Sequence, residues 1–302
     1  MIFLEKILFV VNPVAGKMMS AKYMMDILRI FNDNESLPTV YTTRSSGDAG
    51  RYVEANADKY DRVICCGGDG TFSEVVSGVV KTGSITPIGY IAAGSTNDLA
   101  RTLGLPTDIK KAAKNAVCGE PFKIDIGLVN NEKTFTYVAS FGLFSKTSYS
   151  TPQEMKNTLG HLAYILEGIK ELSNIKGYNM KVKTEKETVT GEFIFGAITN
   201  SLSIGGVFKY PRSRVSLNDG NFEIMMIKRP KDLIELNNII ASMNSGNFAD
   251  KNILFIQTNK LEMSFDSNCP FTLDGEFGGE YTEMNIENLK ERITIFLPAE
   301  NK

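Results

Sequence analysis

Three short segments of this 302-residue chain place glycines, hydroxyls and acids directly after apolar runs. Asn12-Pro13-Val14-Ala15-Gly16-Lys17 follows ILFVV, Gly67-Gly68-Asp69-Gly70-Thr71 follows RVICC, and Gly94-Ser95-Thr96-Asn97-Asp98 follows PIGYIAA. Glycines at the end of a strand let the backbone turn tightly and bring its N–H groups close to a ligand, and the start of a following helix attracts anions. Phosphate binding is the chemistry such loops perform. Neither the G-x-x-x-x-G-K-[ST] loop nor the G-x-G-x-x-G fingerprint is present, so the cradle would be one of backbone groups without a loop lysine.

Asp69 is the odd member. An acid beside bound phosphate is unfavourable unless a cation joins them, which points to a magnesium bridge, direct or through water. The plain alternative is a turn-forming aspartate. Thr71 and Glu74 have the spacing of a capping box, and Phe72, Val75, Val76, Val79 and Val80 give the segment near 72–82 the packed face of a helix. Each of the three loops alone is a common turn. Following successive parallel-type strands, they meet where ligands of such sheets sit, at the strands' carboxyl ends.

The elements that must position these loops alternate through the first third. Strand-like stretches at 7–11, 38–43, 62–66 and 87–93 are separated by helical patterns near 18–32, 46–58 and 72–82, which predicts a mostly parallel sheet covered on both faces. Beyond about residue 124, short strands and turn signals dominate, from KIDIGLVN through KTFTYVAS, YNMKVKTE, TVTGEFIFGAITN and GNFEIMMIKR to ILFIQTNKLEMSF and CPFTLDGEF. Helical patterns interrupt at 153–173, which carries the single histidine, His161, and at 230–245. The fold class is therefore α/β followed by β. An α/β domain covers 1–124, a β-sandwich or open barrel covers 125–287, and a last strand, about 288–302, returns to the first domain.

Composition narrows the function. The chain is 42% hydrophobic and 23% charged with a net charge of -2, so it lacks the basic field of a nucleic-acid binder. No apolar run approaches the roughly 18 residues of a membrane span. Glu5 and Lys6 interrupt the first apolar stretch and no small-residue cleavage site follows, so it reads as a strand and the expected location is cytoplasmic. Cysteines 65, 66, 118 and 269 have no metal-ligand or disulfide spacing and read as reduced, buried thiols. With one histidine, a three-histidine zinc site is excluded.

Six segments, in order and spread over almost the whole chain, resemble the diacylglycerol kinase catalytic-domain superfamily: NPVAGK at 12–17, GGDGTFSEVVSG at 67–78, GSTNDLAR at 94–101, KIDIG at 123–127, LNDGNFEI at 217–224 and LDGEFGG at 273–279. The resemblance implies an NAD-kinase-like α/β nucleotide domain, a C-terminal β-sandwich, and an active site in the cleft between them. It implies transfer of the ATP γ-phosphate to a lipid hydroxyl, with diacylglycerol giving phosphatidic acid. Asn12, Pro13, Val14, Ala15, Gly16, Thr43, Gly68, Asp69, Gly70, Thr71, Phe72, Ser73, Glu74 and Ser95 match the ATP-contacting positions. Glu276 matches the general base and Asp69 the acid that recruits magnesium.

The resemblance further implies a second Mg2+ held by Ser216, Asp219 and Asn221, with Asp219 giving a side-chain ligand and the other two backbone carbonyls. Asn218 stands where close relatives have an aspartate, which removes a charge from that site and weakens its link to Asp69, Asp98 and Asp125. Segments 140–152 and 201–211 mix apolar residues with lysine and suit either a lipid-facing rim or sandwich core. The implied partners are ATP and a membrane lipid met at the inner face of the membrane through peripheral contact, with Lys209, Arg212 and Arg214 as a local basic patch. Nucleic acid is not among them, and a homodimer is compatible with a sequence silent on oligomeric state. Other readings are a kinase for a sphingoid base or phosphatidylglycerol, an NAD kinase, which shares a GGDGT-type loop, and a nucleotide-binding regulator without catalysis.

Overall fold

Apolar runs bounded by polar turns set the architecture in a computed structural model that describes residues 4–95, 97–143, 175–201, 203–204, 208–209, 215–245, 248 and 250–299. The helix expected at 153–173 with His161, most of the two lipid-rim segments, and Arg212 and Arg214 lie outside the described residues, as does the side chain of Lys209. The chain divides into two units, residues 1–126 with 290–302, and residues 127–289.

In the first unit, β1 (Glu5–Val11), β2 (Ser36–Thr42), β3 (Arg62–Gly67) and β4 (Ile88–Ala92) pair in parallel in the order β4-β3-β1-β2. Crossovers between parallel strands need helices, and these are α1 (Met24–Asp33), α2 (Asp48–Asn56) and α3 (Asp69–Lys81). The short α4 (Asp98–Thr102) and then α5 (Ile109–Cys118) follow β4. One sheet face buries Ile7, Phe9, Ile64 and Ile91 against Ile27 and Phe31 of α1 and the alanines of α5. Strands buried on both faces read as continuous apolar runs, which is why ILFVV and RVICC show no alternation.

The second unit is antiparallel. Its strands include the C-terminal part of β5 (Glu120–Val129), then β6 (Lys133–Phe135), β7 (Val138–Gly142), β8 (Tyr178–Thr184), β9 (Thr188–Thr199), β10 (Phe222–Lys228), β11 (Ile253–Thr258), β12 (Lys260–Leu273) and the first part of β13 (Glu276–Leu297). Hydrogen bonding runs β9-β7-β12-β8 and back to β9, so the strands close on themselves around a core that includes Phe141, Phe193, Phe222 and Phe271. A helix of this unit, α6 (Leu233–Asn244), starts at an Asp232 cap that accepts the Glu235 N–H at 2.8 Å.

Two features tie the last segment of the chain into the first unit. From Lys290 onward β13 belongs to the first unit, where Ile295 pairs in parallel with Ile88. There the Arg292 guanidinium donates to the carbonyls of Ser84, Val80 and Val79 at 2.7, 3.1 and 3.3 Å, closing the last turn of α3 with a cation. Buried Asp125 accepts the Glu291 N–H at 2.7 Å.

The cysteines divide. Burial pushes Cys65 well above the ordinary thiol range and Cys66 up to about 12, so neither supplies a thiolate. Cys118 departs from the expectation of a buried thiol: at the last position of α5 it is exposed and its thiol donates to Asn34 Oδ1 at 3.0 Å. Among the described residues no helix is long and apolar enough to cross a membrane.

Candidate active site

The three glycine-bearing loops meet. After β1, the Asn12 N–H donates to the Cys66 carbonyl at 2.9 Å, and the Asn12 side-chain amide donates to Thr71 Oγ1 at 3.0 Å. After β4, the Ala93 N–H donates to the Gly67 carbonyl at 2.8 Å. Gly16 closes the circle at a left-handed φ of 51°, where an added Cβ would overlap the Ala93 carbonyl oxygen. Gly68 and Gly94 face each other so closely that a Cβ on Gly94 would lie 2.6 Å from the Gly68 Cα. Glycine at 16 and 94 is thus a packing requirement of loops brought together.

At this meeting point α3 begins. Its N-cap is Gly68, which has no side chain to cap with, so the first helical turn of Asp69, Gly70 and Thr71 opens without a cap from the N-cap residue. The capping box expected from Thr71 and Glu74 does not form. The helix starts at Asp69, two residues before Thr71, so Thr71 Oγ1 is free to accept from Asn12, while the Glu74 carboxylate turns to another helix. Its Oε1 accepts the Gly47 N–H at 2.6 Å and its Oε2 the Ala49 N–H at 3.2 Å, both at the start of α2.

Asp69 lies at the first helical position. Its Oδ2 accepts the Asp98 N–H at 3.0 Å, placing a negative charge at the start of α4, and the Tyr90 hydroxyl lies 3.5 Å from its Oδ1. Asn97, in left-handed conformation at φ 52°, donates through its side-chain amide to the Gly94 carbonyl at 2.8 Å. Its side-chain oxygen, Oδ1, is buried, has no hydrogen-bond partner among the described residues, and faces the Gly68–Gly94 contact. Val14 and Ser95 are exposed at the edge of the assembly, and Thr43 is tied to it by its N–H, which donates to the Val11 carbonyl at 2.9 Å. Phe72 is wholly buried with its ring 4.3 Å from that of Tyr90, so its contribution is packing beneath the loops.

In the second unit, the segment carrying Glu276 is a hairpin with a two-residue loop. Asp274 and Gly275 have φ of 50° and 83°, the signature of an Asp-Gly turn with both central residues left-handed, and Leu273 pairs with Glu276 across it. Asp274 is buried, and its carboxylate accepts four hydrogen bonds: from the N–H and hydroxyl of Thr136, both at 2.8 Å, and from the N–H groups of Tyr137 and Val138 at 3.0 and 3.2 Å. The Tyr137 hydroxyl donates back to the Asp274 carbonyl at 3.1 Å. Glu276, the next side chain but one, is exposed and makes no side-chain hydrogen bond among the described residues. A clamped structural acid thus presents a second, unencumbered acid to solvent. Sequence reading singled out Glu276 and passed over Asp274, although the Asp-Gly pair between two strand patterns is a turn signal.

The loop of residues 216–221 is also in the second unit. Asp219 Oδ1 accepts the Asn221 N–H at 2.8 Å, the Ser216 hydroxyl donates to Asn218 Oδ1 at 3.1 Å, and Gly220 turns the chain at φ 87°. Asp219 is exposed, and no group of three His, Cys, Asp or Glu side chains suited to a metal occurs among the described residues.

Set beside known proteins, the chain falls in the class of ATP-dependent lipid kinases. The model of the diacylglycerol kinase catalytic domain matches residues 6–129. Diacylglycerol kinase of Bacillus subtilis (strain 168) is 31% identical over 291 residues, covering 96% of this chain and 95% of its own. Diacylglycerol kinase of Staphylococcus carnosus (strain TM300) is 29% identical over 294 residues, covering 96% and 94%. Two crystal structures from Bacillus anthracis str. Sterne share the fold. One, a diacylglycerol kinase, has 22% identity and a TM-score of 0.75 over 97% of each chain, and the other has 25% identity and a TM-score of 0.81 over 97% and 95%. The chain belongs to the diacylglycerol kinase family.

Proposed function

We propose that the chain transfers the γ-phosphate of ATP to the hydroxyl of diacylglycerol, giving phosphatidic acid. The observation that carries this reading is the convergence of the Asn12–Gly16 and Gly67–Thr71 segments with Ala93, Gly94 and Asn97 at the start of α3, in a member of this family. Phosphoryl transfer asks little covalent chemistry of a protein. It asks for positioned phosphates, screened charge and an aligned hydroxyl.

In this reading the backbone N–H groups of Gly68, Asp69, Gly70 and Thr71 hold the phosphates, supported by the positive end of α3. Asn12 to Gly16, Thr43 and Ser95 flank the nucleotide, and Phe72 and Ser73 keep the helix in place under it. The donors around the cradle fit a magnesium ion: the Asp69 carboxylate is an oxygen ligand, and the orphaned Asn97 Oδ1 is a buried oxygen awaiting a cation or a water. When bound, the ion supplies charge screening for the phosphates. Glu276 accepts the proton of the lipid hydroxyl as base, and Asp274 fixes the hairpin that presents it. Ser216, Asp219 and Asn221 are proposed to hold a second Mg2+ through one side chain and two carbonyls. Asp219 fits this, because only one of its oxygens accepts the Asn221 N–H. An acceptor of this kind brings the chain to a membrane surface as a peripheral contact.

The test is incubation of the chain with labelled ATP and Mg2+ in mixed micelles containing diacylglycerol. Label in phosphatidic acid is expected; ATP binding with no labelled lipid would leave only the nucleotide-binding part of the proposal standing.

A further inference from the structure

Glu74 lies one and a half turns into α3 and points sideways at α2. Its Oε1 accepts the Gly47 N–H at 2.6 Å and lies 3.4 Å from the Ser46 hydroxyl, which donates to it, and its Oε2 accepts the Ala49 N–H at 3.2 Å. These groups belong to the start of α2, whose N-cap, Gly47, has a φ of 76° and no side-chain cap of its own. Glu74 therefore caps a helix that precedes it by 25 residues or more in the chain. The loop between β2 and α2 is fixed at its other end as well. The Thr43 N–H donates to the Val11 carbonyl at 2.9 Å, immediately before Asn12. Asp48 Oδ2 accepts the Arg44 N–H at 2.9 Å and the Tyr41 hydroxyl at 3.0 Å, and the Tyr41 ring stacks on that of Tyr52 at 3.5 Å. One anchor is thus the strand that opens the Asn12–Gly16 segment, and the other is the helix whose first turn is the phosphate cradle.

We infer that Glu74 is a positioning residue: its carboxylate touches the start of α2 and not the nucleotide, and by doing so it holds the Thr43–Gly47 loop as a wall of the ATP site. The inference rests on the proposed nucleotide reading and deepens it. The sign of one measurement separates the two roles. A carboxylate in contact with a triphosphate repels it, so neutralising such a group would tighten or preserve ATP binding. A carboxylate that fixes the wall favours the bound geometry, so neutralising it loosens ATP.

The experiment measures ATP dissociation constants by calorimetry, with Mg2+ and without lipid, for the unaltered chain, Glu74→Gln, Asp48→Asn and the double variant. Asp48→Asn loosens the same loop from its other anchor without altering α3. Each single variant is expected to raise Kd between about threefold and thirtyfold, the range spanned by loss of a helix cap. The double variant is expected to raise it by less than the product, because both act on one loop. Backbone exchange over residues 43–49 should quicken in each. Unchanged or tighter ATP binding in Glu74→Gln, with exchange quickened, would overturn the inference, as would a fully multiplicative double variant. Should Glu74→Gln lose its cooperative melt, Asp48→Asn decides alone by the same two outcomes. Failure of the unaltered chain to bind ATP would instead remove the nucleotide reading itself.

Discussion

The first unit builds its candidate site from backbone, the second from side chains. Around α3, segments distant in sequence are stitched together by main-chain donors, by the Asn12 side-chain amide and by glycines that leave no room for a Cβ. In the Asp274-Gly275-Glu276 hairpin, one buried carboxylate takes four hydrogen bonds and a neighbouring carboxylate takes none among the described residues. The difference suits the proposed roles. A polyphosphate would be bound by many weak, preorganised dipoles, whereas a proton would be taken by one group whose position must be fixed.

That contrast can be broken at four points, of decreasing effect. Asp274→Ala would leave four donors without their acceptor in a buried turn, a loss of at least about 3 kcal/mol, and would remove both the hairpin and turnover. A lowered urea midpoint together with lost phosphotransfer is the expected pair of results. Glu276→Gln, at an exposed position, should leave the urea midpoint unchanged and lower kcat by about a hundredfold or more, the contribution of a general base. Equal turnover would remove Glu276 from that role. Gly16→Ala should act in the opposite manner: a side chain at a left-handed φ against the Ala93 carbonyl costs about 1–3 kcal/mol, and KM for ATP should rise more than kcat falls.

The smallest effect is one of pH. The Arg44 N–H, aided by the Tyr41 hydroxyl, holds the Asp48 carboxyl below the ordinary aspartate value, against the opposing effect of burial. A lowered folded value means the stabilisation is complete above the unfolded value of about 3.9 and is lost as pH falls through the folded one. Thermal midpoints of the unaltered chain and of Asp48→Asn should therefore differ near neutrality and converge below about pH 4. A constant gap would show that Asp48 acts through its shape and not its charge.

The parallel sheet was legible because its strands are continuous apolar runs ended by glycine: ILFVV and RVICC fall inside Glu5–Val11 and Arg62–Gly67. The loops after them were legible for the same reason. The partners of side chains were not. Thr71 and Glu74 have the local spacing of a capping box, but the helix begins at Asp69, and the donors that claim Glu74 lie 25 and 27 residues upstream, where spacing carries no information. Asp274 is a similar case, since its donors at 136–138 come from a distant strand connection. In the second unit, the patterns read as separate short strands at 253–265 and 269–277 resolve into β11, the long β12 and the start of β13. Bends and register shifts within a long strand interrupt its alternation, as at Ser264 to Cys269.

The central claim is that a backbone cradle and a single carboxylate together phosphorylate a lipid. The most direct measurement offers the unaltered chain labelled ATP and Mg2+ with, in parallel, diacylglycerol, a sphingoid base and phosphatidylglycerol in mixed micelles, and NAD in solution. The expected result is label transferred to diacylglycerol in preference to the other three. Preferential label in NAD, or ATP binding with no label in any acceptor, would contradict it.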